Sequence, residues 1–296
     1  MFQFQQKLKH LKGKIKYWNR TTFGNILHGK ANIEQDMKQL QQKIITLGRS
    51  DDLAEQEKSL ERELMEKEKQ EEMLWKQKSR IRWLKEGEKN TKFFHNTTIQ
   101  RKMHNNITRI QNEQGIKIEK HEEIEAELLN YYKQVHKEPI SDCSQAIQNI
   151  TSKIPRLISD EHNQMLLKPV DLQEVESTVK QLKAGKAPGP DGFTSNFFHH
   201  FWDLIKNEVW QVVEESRSLR WMFPGINATF IALIPKVEKP CKPDKFRPIT
   251  LCNIIYKIIS KIIATRLKLL LPLIISPEQS GYVEGRQITD GIILTH

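Results

Sequence analysis

The residues with the most chemical character in the first half of the chain form one dense block of cations and aromatic rings. The block WKQKSRIRWLKEGEKNTKFFHNTTIQRKMHNN occupies residues 75–106. Cations neutralise phosphates and aromatic rings stack on bases, so the mixture suits a nucleic-acid surface. Alternatively, Trp83, Leu84 and Phe94 are core anchors and the cations are merely solvated. The candidate nucleic-acid contacts in this block are Arg80, Arg82, Lys85, Lys89 and Lys92.

A second candidate is the glycine- and proline-rich stretch KAPGPDG at residues 186–192. Pro188 and Pro190 fix φ and have no N–H to donate, so the stretch is a defined turn and not a helix or a central strand. It is not a Walker phosphate loop, because Gly185–Lys186 is followed by alanine and lacks the upstream glycine. On local grounds the stretch is predicted to form a corner between two helices.

Composition narrows the class of protein. Lysine and arginine number 47 against 37 acidic residues in 296, giving a net charge of +10 and a pI near 9.3, which favours a polyanionic partner. Cys143, Cys241 and Cys252 form no C-x-x-C pair, so neither a disulfide framework nor a zinc module is expected. The N-terminus lacks the apolar core of a secretory signal, and cations interrupt the apolar run at residues 254–275. We therefore expect an intracellular protein, nuclear or cytoplasmic, with no membrane partner.

Helices dominate the predicted first half. Residues 1–100 contain no proline and five glycines, which favours long helices with short breaks. Their apolar stripes are thin, so the helices are predicted to pair as a hairpin or to pack on a partner. The stretch ITRIQNEQGIKI at 107–118 alternates around Gly115 and predicts a β-hairpin, followed by a short helix. Residues 137–156 are predicted to be a surface linker.

Two helices are predicted to flank the glycine- and proline-rich turn. Asp171 is the predicted N-cap with Glu174 at capping-box distance, and Gly185 is suited to the C′ position of the same helix. The second helix covers residues 195–216. Its predicted buried side consists of Phe197, Phe198, Phe201, Trp202, Ile205, Val209 and Val212.

The remaining pattern predicts a second β-hairpin and a long helix. Residues 229–234 are apolar and β-rich, a second extended piece is expected at 246–249, and a charged loop separates them. Apolar residues then step at three and four over 251–274, which predicts a core helix with a basic outer face, ending at Ser276–Pro277.

The order of these pieces resembles a known family. APGPDG, a helix, IALIPK, a loop, FRPITL, a long helix ending in TRL and finally EQSGYVEGR resemble the finger region of reverse transcriptases. The likeness is greatest to those of non-LTR retrotransposons (long interspersed elements, LINEs), particularly plant ones. The upstream SRIRWLKEGEKNTKFFH resembles the segment that such polyproteins place between endonuclease and polymerase. The resemblance covers roughly residues 75–296.

The resemblance implies roles for particular residues. In the family, the positions of Lys236 and Arg247 lie over the triphosphate of the incoming deoxynucleotide (dNTP), in keeping with a reaction that depends on positioning and charge neutralisation. Gln279 and Arg286 correspond to an element near the template strand, and Lys186 lies in the turn that helps to shape the channel. The implied partners are an RNA template, a DNA primer and a dNTP.

The carboxylates that the family uses for nucleotidyl transfer are missing from the sequence. Neither the F-x-x-L-D-L strand nor the Tyr-x-Asp-Asp hairpin, which hold Mg²⁺ in the complete enzyme, occurs here. We therefore expect a catalytically incomplete fragment without catalytic or metal-binding residues, lacking the palm and endonuclease segments of the full polyprotein. The alternative is a non-enzymatic nucleic-acid-binding or coiled-coil interaction protein.

The expected fold is mostly α with a small β component. Residues 1–105 are predicted to form a helical, coiled-coil-like basic extension, and 106–168 a hairpin, a helix and a linker. Residues 169–296 are predicted to form a partial reverse transcriptase domain of α+β type, with fingers and a truncated palm.

Overall fold

The structure, a computed structural model, describes residues 1–79, 81, 91–137, 143–276, 279, 283 and 285–286. Within these residues, helices dominate and the strands form two two-stranded antiparallel sheets. The predicted fold class, mostly α with a small β component, is confirmed.

Two compact units make up the chain. One, here called the helical unit, is Lys7–Thr108, and the other, here called the hairpin unit, combines Met1–Gln6 with Arg109–His296. Compactness alone does not establish independently folding domains, so the predicted divisions after residues 105 and 168 remain predictions.

The helical unit is built on an antiparallel helix pair. Lys30 near the start of α2 lies 2.9 Å from Glu71 near the end of α3, and this contact is the main cause of a raised Lys30 pKa. At the other end of the pair, Arg49 lies 3.4 Å from Glu57. The predicted helical hairpin is therefore correct. The helices are α1 (Phe2–Trp18), α2 (Ile26–Leu47), α3 (Asp51–Ser79) and α4 (Thr91–His104). The first residues of α1, up to Gln6, belong to the hairpin unit, and α1 continues into a π-helical turn (Asn19–Phe23).

The hairpin unit contains both sheets. Its first elements are β1 (Ile110–Gln111), β2 (Lys117–Ile118), α5 (His121–Val135), α6 (Ser144–Thr151), α7 (Asp160–Leu167), α8 (Leu172–Lys180) and α9 (Ser195–His200). They are followed by α10 (Trp202–Leu219), α11 (Pro224–Asn227), β3 (Thr229–Pro235), a 3₁₀ turn (Pro243–Lys245), β4 (Phe246–Cys252), α12 (Ile254–Lys268) and α13 (Leu271–Ile274).

The elements predicted between the two halves are largely found. β1 pairs with β2 around a turn in which Gly115 has φ of 79°, and α5 follows directly. The predicted linker at 137–156 differs, because it contains the helix α6. Both isoleucines of that helix, Ile147 and Ile150, remain about 60% exposed, so the helix lies on the surface.

Helices α8, α10 and α12 form the core of the hairpin unit. Val175, Val209 and Ile258, one from each helix, are fully buried. Arg266 on α12 fixes the packing by donating to both carboxylate oxygens of Glu174 on α8, at 2.8 and 2.7 Å. Glu174 thus pairs across the core instead of closing the predicted capping box, while Asp171 does cap α8 by accepting from the Glu174 N–H.

The helix before the glycine- and proline-rich turn ends earlier than predicted. α8 stops at Lys180, and Gly185 lies in the turn beyond it, with φ of 69°. The residues after α8 are bonded to the start of α9: Ser195 Oγ donates to the Lys183 carbonyl at 2.9 Å, and Asn196 Oδ1 accepts from the Gly185 N–H at 3.1 Å.

The helix predicted over 195–216 is broken in two at Phe201, which has φ of −103°. Phe198 and Trp202 are buried, whereas Phe201, predicted to be buried, is 41% exposed. The aromatic side chains at positions 197, 198, 201 and 202 cannot all point into the same core. Phe197 and Phe201 therefore pack against each other, with ring centroids 5.1 Å apart.

The long apolar helix also divides. α12 ends at Lys268 and a separate short helix, α13, begins at Leu271. Pro272 explains the break, because a proline has no N–H for the carbonyl four residues earlier and its ring clashes with that carbonyl. Ile263 and Leu267, on the predicted apolar stripe, are 55% and 39% exposed.

Glu214 on α10 anchors the segment that leads into α8. Its carboxylate accepts from the Val170 N–H at 2.9 Å, and Trp210 Nε1 on the same helix donates to the Val170 carbonyl at 2.7 Å. Arg217 donates two further bonds to the carboxylate through Nε, and this pairing is the main cause of a lowered Glu214 pKa.

Glu214 should make stability depend on pH. Because its pKa is lower in the folded state, its contribution is present above the ordinary value near 4.3 and is lost as the pH falls through the folded pKa. We expect Glu214→Gln to lower the free energy of unfolding by about 1 kcal/mol at pH 7, with the difference vanishing on acidification. Urea titrations at several pH values measure it, with the exposed Glu125→Gln as control. A difference that persists unchanged at pH 3 would contradict this assignment.

Candidate functional site

The β3–β4 hairpin brings the two predicted dNTP-binding residues to one face. The register places Ile234 directly opposite Arg247. Directly opposed residues project to the same side of an antiparallel pair, and so do residues two apart along one strand. Lys236, two positions beyond Ile234, therefore projects to the same side as Arg247, and both residues are exposed.

A third cation, Lys245, belongs to this face and was missed in the sequence analysis. The Lys236 N–H donates to the Lys245 carbonyl at 2.9 Å, so the pairing continues one step past β3 and sets these two lysines opposite each other. We call Lys236, Lys245 and Arg247 the cationic face. Lys245 could have been found by extending the hairpin register from Arg247 by two residues.

Asp244 is the acid held against the cationic face. Lys245 Nζ lies 3.1 Å from its carboxylate, and Lys236 Nζ donates to its main-chain carbonyl at 2.8 Å. The pKa of Asp244 is below its usual range, chiefly because of the Lys245 hydrogen bond, with Lys236 and Lys242 adding to the effect.

The tip of the hairpin is anchored to neighbouring elements. The Gln111 N–H of β1 donates to the Cys241 carbonyl at 2.5 Å, and the Tyr132 hydroxyl of α5 lies 3.5 Å from the Pro243 carbonyl. Pro243 and Phe246 are buried. Burial raises the pKa of Tyr132, and the charges of Tyr131 and Asp244 add to it. These contacts hold the loop between the strands in one conformation.

The base of the hairpin is anchored by Asn253, another residue that the sequence analysis missed. Its side-chain amide is 3% exposed and donates to the carbonyls of Gly225 and Ile226 at 2.9 and 3.2 Å. Its Oδ1 accepts from the Asp191 N–H at 3.1 Å. One buried amide thus joins β4, α11 and the glycine- and proline-rich turn. No local signal marks an asparagine for this role, because its partners lie 27 to 62 residues away.

The glycine- and proline-rich turn itself packs directly on this base. A Cβ at Gly189 would lie 2.4 Å from Asn253 Oδ1 and 2.6 Å from the Cys252 carbonyl carbon, so the close approach requires glycine. Asp191 Oδ1 accepts from the Phe193 N–H at 3.0 Å and stabilises the exit of the turn. The predicted corner is confirmed. Lys186 at its start is exposed, and its contact with nucleic acid stays a prediction.

The guanidinium of Arg286 bonds to nearby main-chain carbonyls. It donates to Ser276 at 2.5 Å, to Gln279 at 2.9 Å and to Ile275 at 3.3 Å. In this conformation the side chain secures the chain after α13. The template contacts predicted for Arg286 and Gln279 stay predictions.

The candidate residues of the helical unit are partly described. Lys92 is exposed in the first turn of α4, whereas Arg80, Arg82, Lys85 and Lys89 lie outside the described residues, as do Trp83 and Leu84. Phe94 is 2% exposed and is a core residue, as the alternative interpretation of the block expected. Trp75 packs edge-on against His95, with ring centroids 4.3 Å apart, and carries Lys78 over its ring.

The described residues do not contain the donor set that a metal site requires. No group of three or more histidine, cysteine, aspartate or glutamate side chains among them is arranged to hold a metal ion. These described residues therefore do not fit the Mg²⁺ of a complete polymerase. None of the described helices is long and apolar enough to cross a membrane. The intracellular location, nuclear or cytoplasmic, stays a prediction.

Comparison with known proteins identifies the relatives of this chain. It is 28% identical over 208 residues to the transposon TX1 uncharacterized 149 kDa protein of Xenopus laevis. It is 24% identical over 127 residues to the retrovirus-related Pol polyprotein from type-1 retrotransposable element R1 of Bradysia coprophila. The chain is a homologue of non-LTR retrotransposon proteins. The suggested resemblance is thereby confirmed, while neither relative tests its plant character.

The homology is partial on both sides. The match to the TX1 protein covers 70% of this chain and 16% of that protein, and the match to the R1 polyprotein covers 41% and 12%. No family model matches the chain. The activity of the whole retrotransposon protein is therefore a proposal for this chain.

Asn253→Asp should be far more damaging than its small change in shape suggests. The aspartate would turn a carboxylate oxygen towards two carbonyl oxygens and bury a charge for which the Asp191 N–H is the one donor described at this position. We expect a loss of about 3 kcal/mol in the free energy of unfolding, measured by urea titration. Asn130→Asp, at an exposed position on α5, is the matched control and should change stability by less than about 0.5 kcal/mol. Equal losses in the two variants would show that the buried amide does not hold the base.

Proposed function

We propose that this chain is the finger region of a non-LTR retrotransposon reverse transcriptase, an RNA-directed DNA polymerase, and that its cationic face binds the triphosphate of the incoming dNTP. The observation that carries the proposal is the register of β3 and β4, from which Lys236 and Arg247 lie diagonally opposite each other on one exposed face. Homology to retrotransposon proteins supports the class of enzyme.

The two side chains suit different parts of a triphosphate. The planar guanidinium of Arg247 presents a fork that can bond two phosphate oxygens at once, while Lys236 supplies a compact charge on a flexible stem. Phosphoryl transfer depends mainly on positioning and charge neutralisation, which is what such a face contributes.

A hairpin suits this role because both of its ends are anchored. The tip contacts β1 and α5 and the base is bonded to α11 and the turn, so the backbone from which the cations extend is anchored at both ends. A preorganised site loses less conformational entropy when it binds its ligand. RNA would lie along the basic surfaces that include Lys92 and Lys186, both exposed.

A second candidate function is nucleic-acid binding by the helical unit without any polymerase role. The observation that favours it is an open groove of about 1080 Å³, with Trp75, Lys76, Lys92 and His95 in its lining. Glutamates also line this groove, Glu71 among them, so its charge is mixed and suits a polyanion less well. Nucleotide binding at the hairpin distinguishes the two functions, because the second function does not require it.

Arg247→Ala should weaken binding of dATP by about tenfold, because a bidentate charge-assisted contact is lost, and Lys236→Ala should weaken it about threefold. Equilibrium binding of dATP to the full chain, measured by isothermal titration calorimetry, tests both. Arg109→Ala and Lys117→Ala are the controls, because each removes one positive charge at an exposed position. Arg109 lies next to the β1–β2 hairpin and Lys117 lies in it, and both variants should leave the affinity for dATP unchanged. If all four variants bind alike, the hairpin is not the triphosphate site.

A further inference from the structure

Asp244 has no role in the proposed triphosphate site, yet it lies among the cations. It follows the buried Pro243 in a 3₁₀ turn, in which the Lys245 N–H donates to the Lys242 carbonyl at 3.0 Å. The Tyr132 hydroxyl lies 3.5 Å from the carbonyl of Pro243, the residue that precedes the acid. The carboxylate is about half exposed, so a ligand in solvent can reach its lysine partner.

The two lysines of the cationic face contact this one residue in different ways. Lys245 Nζ pairs with the carboxylate of Asp244 at 3.1 Å, whereas Lys236 Nζ bonds its main-chain carbonyl at 2.8 Å. In both contacts a lysine ammonium donates a hydrogen bond that it could donate to a phosphate oxygen instead. Arg247, in contrast, extends from the middle of the same face, two residues from Lys245.

We propose that Asp244 is an internal counter-anion of the cationic face, which a nucleoside triphosphate displaces, and that Lys245 is thereby a third phosphate-binding cation. This inference rests on the proposed function of the face. In the free protein, Lys245 is neutralised by Asp244. When the triphosphate binds, the Lys245 ammonium transfers its hydrogen bond from the carboxylate to a phosphate oxygen, and no covalent bond changes.

The energetics allow such an exchange. An exposed ion pair between neighbouring residues is weak, so breaking it costs little, whereas a triphosphate offers several charges to three cations at once. The remaining carboxylate then repels the bound phosphates, which lowers affinity. Asp244 would thus prevent weakly charged anions from binding to the empty face. It would also make the affinity for the nucleotide lower than the three cations could provide without it.

Removing the acid should therefore tighten binding. Asp244→Asn preserves shape, and the main-chain carbonyl that accepts from Lys236 is untouched. We expect it to bind dATP roughly threefold more tightly than the unmodified chain, and Lys245→Ala to bind roughly threefold more weakly. The matched control is Asp203→Asn. That carboxylate is also exposed and also lies near a lysine, Lys206, at 3.2 Å, but it is on α10. It changes the net charge equally and should leave the affinity unchanged.

Two different failures can be told apart. If Asp244→Asn binds dATP no more tightly than the unmodified chain while Arg247→Ala remains weakened, the counter-anion inference is wrong and the proposed site stands. If neither Arg247→Ala nor Lys236→Ala alters binding, the site itself is wrong and the inference falls with it. Should the asparagine variant unfold at lower temperature in a melting curve, Asp244→Ser replaces it with the same expected direction.

Discussion

The buried side chain of Asn253 is the contact on which the geometry of the hairpin depends. Its amide bonds three main-chain groups from two distant segments, at a point where β4 ends and α12 begins. Each buried carbonyl or N–H left without a partner would cost free energy, so the three segments are stable only in this mutual arrangement. The glycine- and proline-rich turn has its explanation here, because only glycine at position 189 lets the turn approach the base of the hairpin.

From this base the hairpin extends between two anchored ends with much of its surface exposed. Phe230, Ile231 and Ile249 are between 44% and 57% exposed, on both faces of the pair. A two-stranded hairpin has little stability of its own in water, so the anchors at the tip and base must provide it. Exposed apolar side chains are typical of surfaces that bind another molecule, and the cationic face lies on this surface.

Structural features that depend on residues close together in the chain were predicted well from the sequence. Alternation around Gly115 predicted the first hairpin, the two extended pieces at 229–234 and 246–249 predicted the second, and Asp171 marked the start of α8. The early end of α12 also has a local cause, since Pro272 forbids a continuous helix, although the apolar repeat continues past the proline. Contacts between distant residues were not readable: Arg266 with Glu174, and Asn253 with the turn, depend on the tertiary packing. Lys245 is an intermediate case. Once Arg247 is assigned to one face of the hairpin, the strand register places Lys245, two residues earlier, on the same face.

The most direct test of the central claim uses the chemistry of the lysines themselves. An acyl phosphate of dATP transfers its acyl group to amines that lie close to the bound phosphates, and peptide mass spectrometry then identifies the modified residues. On the full chain, the account predicts modification concentrated at Lys236 and Lys245 and suppressed by excess dATP. Modification spread evenly over exposed lysines, with no protection by dATP, would contradict it.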